Sequence, residues 1–182
     1  MLMLVDKASS NDRSVLKLPL EEGLICLRGL SPQRTRFEVE YALERGSCHN
    51  SFLFNSSEPG KPAVLVHPPG ATFTEPFLAS LDELLAPEQP LQVVQGNVNP
   101  DRVALLHALV RQRSQLELVV SNAGAKLLDE LWDRQKPGSD APPPPPQPPR
   151  TVIKQDTNLA LPDGRELEVL AVPTPRWPGG LV

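Results

Sequence analysis

The side chains whose types and spacing best suggest chemistry lie in one short segment, from Asn97 to Arg102. Polar groups stand there at Asn97, Asn99, Asp101 and Arg102, directly after a short apolar run. Two side chains that alternate along an extended segment point the same way, and side chains in the first turn of a following helix can turn back towards them. This is the spacing with which a chain surrounds two adjacent metal ions.

The residue types in this segment do not suit a transition metal. The amide oxygens of Asn97 and Asn99 are neutral, and they suit calcium better than iron or zinc. The guanidinium of Arg102 is permanently charged and offers no lone pair to a cation. Only Asp101 is a competent ligand, so the segment predicts the outline of a metal site in which most donors are missing.

Other residues that could do chemistry stand apart in the sequence. His49, His67 and His107 are too scattered to form a recognised ligand set, so we expect ordinary surface or core roles for them. Gly124 opens a predicted helix, but one glycine does not make a phosphate loop. The sequence has no Gly-x-Ser-x-Gly segment, which argues against a serine hydrolase.

Patterns of apolar residues predict the elements that position the segment. Spacings of three and four predict helices over residues 74–85, over 100–113 and after 121–124. Asn99 and Pro100 are typical of a helix cap followed by the first helical position. Short apolar runs predict strands at Val15–Leu20, Leu24–Arg28, Asn50–Phe54, Ala63–Val66, Leu91–Gln95, Leu116–Val120, Thr151–Lys154 and Leu167–Val172.

This order of elements favours an α/β (α+β) domain in which helices cover a sheet. Functional sites in such sheets gather where strands end and helices begin, which points to the loops 96–102, 121–124 and 173–180. We expect one domain over residues 15–182, because 182 residues suffice for a single buried core. Residues 1–14 are polar in their second half and are expected to be disordered.

Composition excludes several classes of function. A formal charge of −4 and a pI near 5.4 give no overall attraction to nucleic acid. Cys26 and Cys48 stand alone rather than as a C-x-x-C pair, which suits reduced thiols. No stretch approaches the ~20 apolar residues of a membrane span, and the apolar opening is too short for a signal peptide. A cytoplasmic protein is therefore expected.

Seven of the 22 prolines lie in one run at Pro142–Pro149. Proline lacks an amide donor, so the run is excluded from helix and sheet interiors and should form an exposed polyproline II rod. We interpret residues 136–150 as a stiff insertion in a surface loop. The alternative is a docking ligand for a partner with an aromatic groove.

Four stretches of the chain resemble the flavodiiron protein family. They are Tyr41–Phe52, Leu65–Gly70, Asn97–Val110 and Ser121–Lys126, and they are most similar to cyanobacterial-type diflavin flavoproteins. The resemblance implies a metallo-β-lactamase-like αββα sandwich. Residues 15–182 would be the first half of that domain, truncated, with the proline run as an insertion.

The resemblance also assigns the polar segment to the metal pocket of the family. Iron-binding members have His-x-Glu-x-Asp-His where this chain has Asn97, Asn99, Asp101 and Arg102. Their His-Trp-Pro-Asp segment corresponds to Arg176-Trp177-Pro178-Gly179, which places Arg176 at another ligand position. One branch of the diflavin flavoproteins carries a similar non-canonical loop. We therefore expect five vestigial pocket positions, where two arginines and an aspartate could form a buried ion pair.

The function that the resemblance implies is electron transfer from NAD(P)H through FMN to a di-iron centre that reduces oxygen to water. We expect this chain to hold none of these cofactors and not to be catalytic alone. It would be a non-catalytic partner of a complete flavodiiron subunit, a homo-oligomer or a remnant. The alternative is a proline-rich interaction or anion-binding protein on the same fold. A chain that supplies only half of a sandwich should also leave an apolar sheet face bare.

Overall fold

A computed structural model describes residues 13–34, 36–37, 40–41, 43–56, 58, 60–134, 142–172 and 179–182. The expectations for residues 1–12, for the first part of the predicted insertion and for Arg176 lie outside these ranges. Within them, no helix has the length and apolarity needed to cross a bilayer.

The described residues form a seven-stranded mixed sheet, two small hairpins, three α-helices and one 3-10 turn. The strands are β1 (Ser14–Glu21), β2 (Leu24–Ser31), β3 (Arg36–Phe37), β4 (Glu40–Tyr41), β5 (Ser47–Phe54), β6 (Ala63–Val66), β7 (Leu91–Val94), β8 (Leu116–Ser121), β9 (Arg150–Ile153), β10 (Thr157–Ala160) and β11 (Glu166–Val169). The helices are α1 (Thr74–Asp82), α2 (Pro100–Gln112) and α3 (Asn122–Leu131), and the 3-10 turn Ala71–Phe73 precedes α1.

The large sheet has the strand order β1-β2-β5-β6-β7-β8-β9. Its first four strands pair antiparallel, and the last four, β6 to β9, pair parallel. The predicted strands β1 and β2 form a hairpin, and Gly23 lies in its turn with a φ of +71°, a backbone conformation that glycine adopts without strain. The parallel half needs helical crossovers, and α1, α2 and α3 supply or accompany them.

Different elements pack against the two faces of the large sheet. One face packs against the three helices through residues of the main core, among them Leu27, Leu53, Leu65 and Leu118. Alternate residues of the same strands point to the second face, because side chains alternate along a strand. Over β6 to β9 that face is covered by the β10–β11 hairpin and by Leu181. Leu161, Val169 and Leu181 form a second apolar cluster with the sheet residues Val64, Val94, Val119 and Ile153.

The second face is therefore not bare over its parallel half. Apolar exposure remains at the antiparallel edge, where Leu16 is 43% and Leu20 is 55% exposed. The hairpin that covers the parallel half was only partly predicted. Leu167–Val172 was expected to be a strand and is one over Glu166–Val169, but its partner Thr157–Ala160 was missed because Leu159 is the single large apolar residue in it.

Helix starts follow the predicted capping chemistry. The side chain of Asn99 accepts a hydrogen bond from the backbone N–H of Arg102 at 2.9 Å, and Pro100 is the first residue of α2. Ser121 caps α3 in the same way, with its hydroxyl accepting from the N–H of Gly124 at 2.9 Å. Each cap fixes the direction in which a helix leaves the end of a parallel strand.

The proline run lies against the protein's own helices. It contains no helix or strand, as its composition predicts, but Pro144, Pro145 and Pro148 are half-buried. The indole Nε1 of Trp132 donates a hydrogen bond to the carbonyl of Pro145 at 2.7 Å. The expectation of a freely exposed rod is thus corrected: prolyl carbonyls have no amide partners in the run itself, so they are available to side-chain donors from α2 and α3.

Replacement of Leu118 by alanine should lower the free energy of unfolding by about 2–5 kcal/mol, because this central-strand side chain is 2% exposed and its loss leaves a cavity. Leu16→Ala is the matched control: it removes the same atoms from a 43% exposed site, and about 0.5 kcal/mol is expected. Urea unfolding followed by circular dichroism measures both. Equal losses in the two variants would contradict the described placement of the core.

Candidate functional site

The polar segment predicted from sequence lies at the end of β7, beside the end of the neighbouring parallel strand β6. His67 follows β6 directly, and its backbone N–H donates to the carbonyl of Val94 at 3.0 Å. A pocket of about 200 Å³ opens at these strand ends and extends to the start of β5. Its lining residues are Arg34, Ser47, Cys48, His49, Gly70, Thr72, Phe73, Asn97, Asn99, Asp101 and Arg102.

Arg102 is the central side chain of the pocket. Its Nη1 donates a hydrogen bond to the carbonyl of Pro68 and lies 3.2 Å from Nε2 of His49. Its Nη2 lies 3.4 Å from Nδ1 of the same imidazole, so the guanidinium faces the histidine ring. The permanent charge of Arg102 is thereby held inside the pocket by a carbonyl and an imidazole.

The histidine beside Arg102 is kept neutral. Burial, together with the charge of Arg102, lowers the pKa of His49 from 6.5 to about 4. Burial and then Arg102 also lower the pKa of His67. Arg102 itself has a lowered pKa because it is desolvated, which Asp101 partly offsets. The pocket therefore places the fixed charge of Arg102 beside His49, an imidazole that resists protonation.

The backbone at the end of β6 is bent to bring the two histidines together. His67 has a φ of +54°, a left-handed conformation that is uncommon outside glycine. Its carbonyl accepts hydrogen bonds from Ser51 Oγ at 2.7 Å and is 2.8 Å from Nε2 of His49. A Cβ atom at Gly96 would overlap the His67 ring, so this position admits only glycine without movement.

Asn99 and Asp101 are used by the protein's own backbone. Asn99 caps α2, and Oδ1 of Asp101 accepts a hydrogen bond from the N–H of Ala71 at 3.2 Å. A Cβ atom at Gly70 would overlap the Asp101 carboxylate, so a larger residue there would displace this side chain from Ala71. Among the described residues, Asp101 and Arg102 form no ion pair with each other. These side chains hold the loops that surround Arg102.

The structure brings Asn97, Asn99, Asp101 and Arg102 together at one pocket, and Arg176 lies outside the described residues. His49 and His67, for which the sequence predicts ordinary roles, contribute to this region: His49 faces Arg102, and the His67 carbonyl lies against His49. They are distant in sequence, and only the pairing of β5 with β6 makes them neighbours.

The described residues do not fit a di-iron centre. In the part of the chain that the structure describes, no group of three or more histidine, cysteine, aspartate or glutamate side chains could hold a metal ion. The amide oxygen of Asn99 is engaged in a helix cap, and the cation of Arg102 occupies the space between the strand ends. Iron and zinc require imidazole, thiolate or carboxylate donors without a fixed cation among them.

The sequence matches no family model. It is 32% identical over 170 residues to diflavin flavoprotein A 2 of the cyanobacterium Thermosynechococcus vestitus, an alignment that covers 93% of this chain. The chain spans about a quarter of the length of that curated relative, 27%.

Solved structures show the same relationship. The flavodiiron core of Synechocystis sp. PCC 6803, determined after metal soaking, superposes with a TM-score of 0.76 at 30% identity, over 93% of this chain and 39% of that one. A fragment of diflavin flavoprotein A 5 from Nostoc sp. PCC 7120 gives a TM-score of 0.76 at 29% identity, over 93% and 60%. The fold is thus the metallo-β-lactamase-like fold of flavodiiron cores. The chain belongs to the flavodiiron protein family and matches the N-terminal part of that core.

Protonation of His49 should destabilise the folded protein. Its pKa is about 4 in the folded chain and about 6.5 in the unfolded one, so the unfolded state binds the proton first as pH falls. The contribution of His49 to stability is complete above pH 6.5 and is lost as pH falls towards 4. His49→Asn should reduce the acid-induced loss of unfolding free energy by about 2 kcal/mol, allowing for partial exposure of the ring.

Urea unfolding at a series of pH values between 7.5 and 4.5 measures this difference, with pH chosen to bracket the unfolded pKa of about 6.5. The comparison between wild type and His49→Asn removes the contribution of carboxylates, which titrate in both proteins. Parallel curves for the two proteins would show that His49 does not experience the burial and the charge described for it.

Proposed function

We propose that this chain is a non-catalytic member of the flavodiiron family that carries no di-iron chemistry of its own and acts by associating with a complete flavodiiron subunit. The observation that carries the proposal is the position of Arg102. Its guanidinium donates to the Pro68 carbonyl and faces His49 from inside the pocket, where a metal ion would need free donors.

The electrostatic cost of a metal beside Arg102 supports this proposal. A divalent ion about 4 Å from a guanidinium is repelled by about 8 kcal/mol at an effective dielectric constant of about 20. Structural zinc sites bind with about 10–16 kcal/mol when all their donors are in place. A site with one carboxylate, and that one bonded to the backbone of Ala71, cannot offset the repulsion.

The cofactors of the family are assigned to the partner under this proposal. Di-iron, FMN and NAD(P)H would be held by a complete subunit, whose length exceeds that of the segment matched here. This chain would contribute the N-terminal part of the same core fold. A homo-oligomer of this chain is the simpler variant of the same association.

Elemental analysis of the purified chain is expected to find less than stoichiometric iron, manganese and zinc, because the pocket offers a cation in place of donors. Arg102→His adds an imidazole at the same position and removes the charge, so it should raise metal content above wild type. Arg134→His, at an exposed position three residues after the end of α3, is the matched control. Stoichiometric iron in the wild-type chain would overturn the proposal.

The association is tested by co-expression with a complete flavodiiron subunit, followed by purification through a tag on this chain alone. We expect the subunit to co-purify together with its flavin absorbance, and the isolated chain to show none. Separate elution of the two chains would refute the partner role while leaving the metal result to stand on its own.

A second candidate function is the binding of a small anion. It is favoured by two arginines, Arg34 and Arg102, that line one pocket of about 200 Å³. The low pKa of His49, caused by burial and by Arg102, indicates that the pocket disfavours a further cation. Guanidinium groups match carboxylate and phosphate geometry, and the volume admits an anion of the size of carbonate or phosphate.

Calorimetric titration with phosphate, bicarbonate and chloride tests anion binding. Arg102→Met should weaken the tightest of these by about tenfold or more, since one charge-assisted hydrogen bond contributes about 1.5 kcal/mol or more. Arg134→Met removes an exposed arginine outside the pocket and should leave binding unchanged. Equal affinities in the two variants would show that the anion binds elsewhere.

A further inference from the structure

The proline run from Pro142 to Pro149, here called the proline strap, contacts Arg111 of α2 and Trp132 at the end of α3, and this contact surface is called the α2–α3 groove. The floor of the groove is Trp132, which follows α3 and is 1% exposed. The ring of His107 on α2 meets the indole edge to face, with 4.5 Å between ring centroids and 75° between planes. This contact between the two helices fixes the orientation of the indole and the direction of its N–H.

Side chains from both helices bind carbonyls of the strap. Trp132 Nε1 donates to the carbonyl of Pro145 at 2.7 Å. Arg111, in the last turn of α2, directs one guanidinium nitrogen at two consecutive carbonyls, 2.8 Å from that of Pro143 and 3.4 Å from that of Pro142. Prolyl carbonyls are the polar groups that an extended proline segment presents at a regular spacing, and the groove meets them with donors at two points.

Burial along the strap is uneven. Pro144, Pro145 and Pro148 are half-buried, whereas the other strap residues, Pro142, Pro143, Pro146, Gln147 and Pro149, are exposed. The half-buried prolines thus include Pro145, whose carbonyl binds Trp132, and its neighbour Pro144.

We propose that the α2–α3 groove is a polyproline II recognition site whose ligand class is a proline-rich peptide, and that the protein's own strap occupies it in cis. The site combines a buried tryptophan that donates its N–H, an arginine that bridges successive carbonyls and three half-buried prolines of the strap. Domains that bind proline-rich peptides use aromatic-lined grooves of this kind. The site is separate from the pocket at the strand ends and does not depend on the function proposed for that pocket.

Because the strap belongs to the same chain, a free peptide must compete with it for the site. A tethered ligand experiences an effective concentration of about the millimolar range, so a free peptide must exceed that level to displace it. The carbonyls of Pro143 and Pro145 are engaged within the protein, and they are not available to an aromatic groove on another protein. The groove is therefore the receptor, and the strap is its resident ligand.

The experiment uses the full chain with Trp177 replaced by phenylalanine, so that Trp132 is the one remaining tryptophan of the two in the sequence. In a strap variant the prolines of Pro142–Pro149 are replaced by serine without change of length. The probe is a synthetic peptide with the sequence of residues 141–150. We expect saturable binding, measured by Trp132 fluorescence, with an affinity at least about tenfold higher than for the chain with its strap intact.

Trp132→Phe in the strap variant keeps an aromatic floor but removes the N–H donor. Binding is then followed by fluorescence anisotropy of a labelled peptide, and it should weaken by about fivefold for the loss of one hydrogen bond of about 1 kcal/mol. A peptide of the same length and charge with serine in place of proline should not bind. A milder variant, in which only Pro144, Pro145 and Pro148 become serine, provides the same test if the full replacement does not fold.

The proposal is overturned if a folded strap variant, checked by circular dichroism, leaves Trp132 fluorescence unchanged with the peptide. Equal peptide affinity for the intact and the strap-free chains would also overturn it, because the peptide would then bind elsewhere. Capture of the intact chain by an isolated proline-binding domain, together with no peptide binding to the groove, would make the strap a ligand for other proteins and would likewise reject it.

Discussion

The cap of Asn99 on α2 is the interaction on which the site depends. Its amide oxygen accepts from the N–H of Arg102, which fixes the first turn of the helix at the end of β7. That turn places Asp101 against the N–H of Ala71 and sends the Arg102 side chain under Pro68 towards His49. A single side-chain hydrogen bond thus sets the positions of the carboxylate and of the cation. The loop from Asn97 to Arg102 is thus held together by bonds within the chain.

Much of the fold could be predicted from sequence because local rules dominate it. Hydrophobic periodicity located all three helices, and the dipeptide Asn99-Pro100 located the start of α2. β1, β2, β5 and β6 were found with ends displaced by up to three residues, since strand ends are set by partners rather than by composition. The strand Thr157–Ala160 was missed for that reason: pairing with β11 makes it a strand, and its own residues do not.

In the candidate site, too, the residues that are close in sequence could be predicted and those brought together by the fold could not. The residues from Asn97 to Arg102 were predicted because they are consecutive, and a spacing can be read in one segment. His49 and His67 could not be assigned, because sheet register and the left-handed backbone at His67 bring them to Arg102. The proline strap was expected to be a free rod, and its seat on Trp132 depends on two helices that approach each other only in the folded chain.

The mixed sheet has a consequence for the order in which the chain folds. β1 and β2 are joined by a two-residue turn, so their pairing closes a short loop at little entropic cost. β6, β7, β8 and β9 pair in parallel across helical crossovers, and contacts of such sequence separation form slowly. The pocket lies at the ends of these parallel strands, and the groove lies between two of the crossover helices. The strap contacts both α2 and the residue that follows α3, so a nascent chain can seat the strap only after these two crossover helices have packed together.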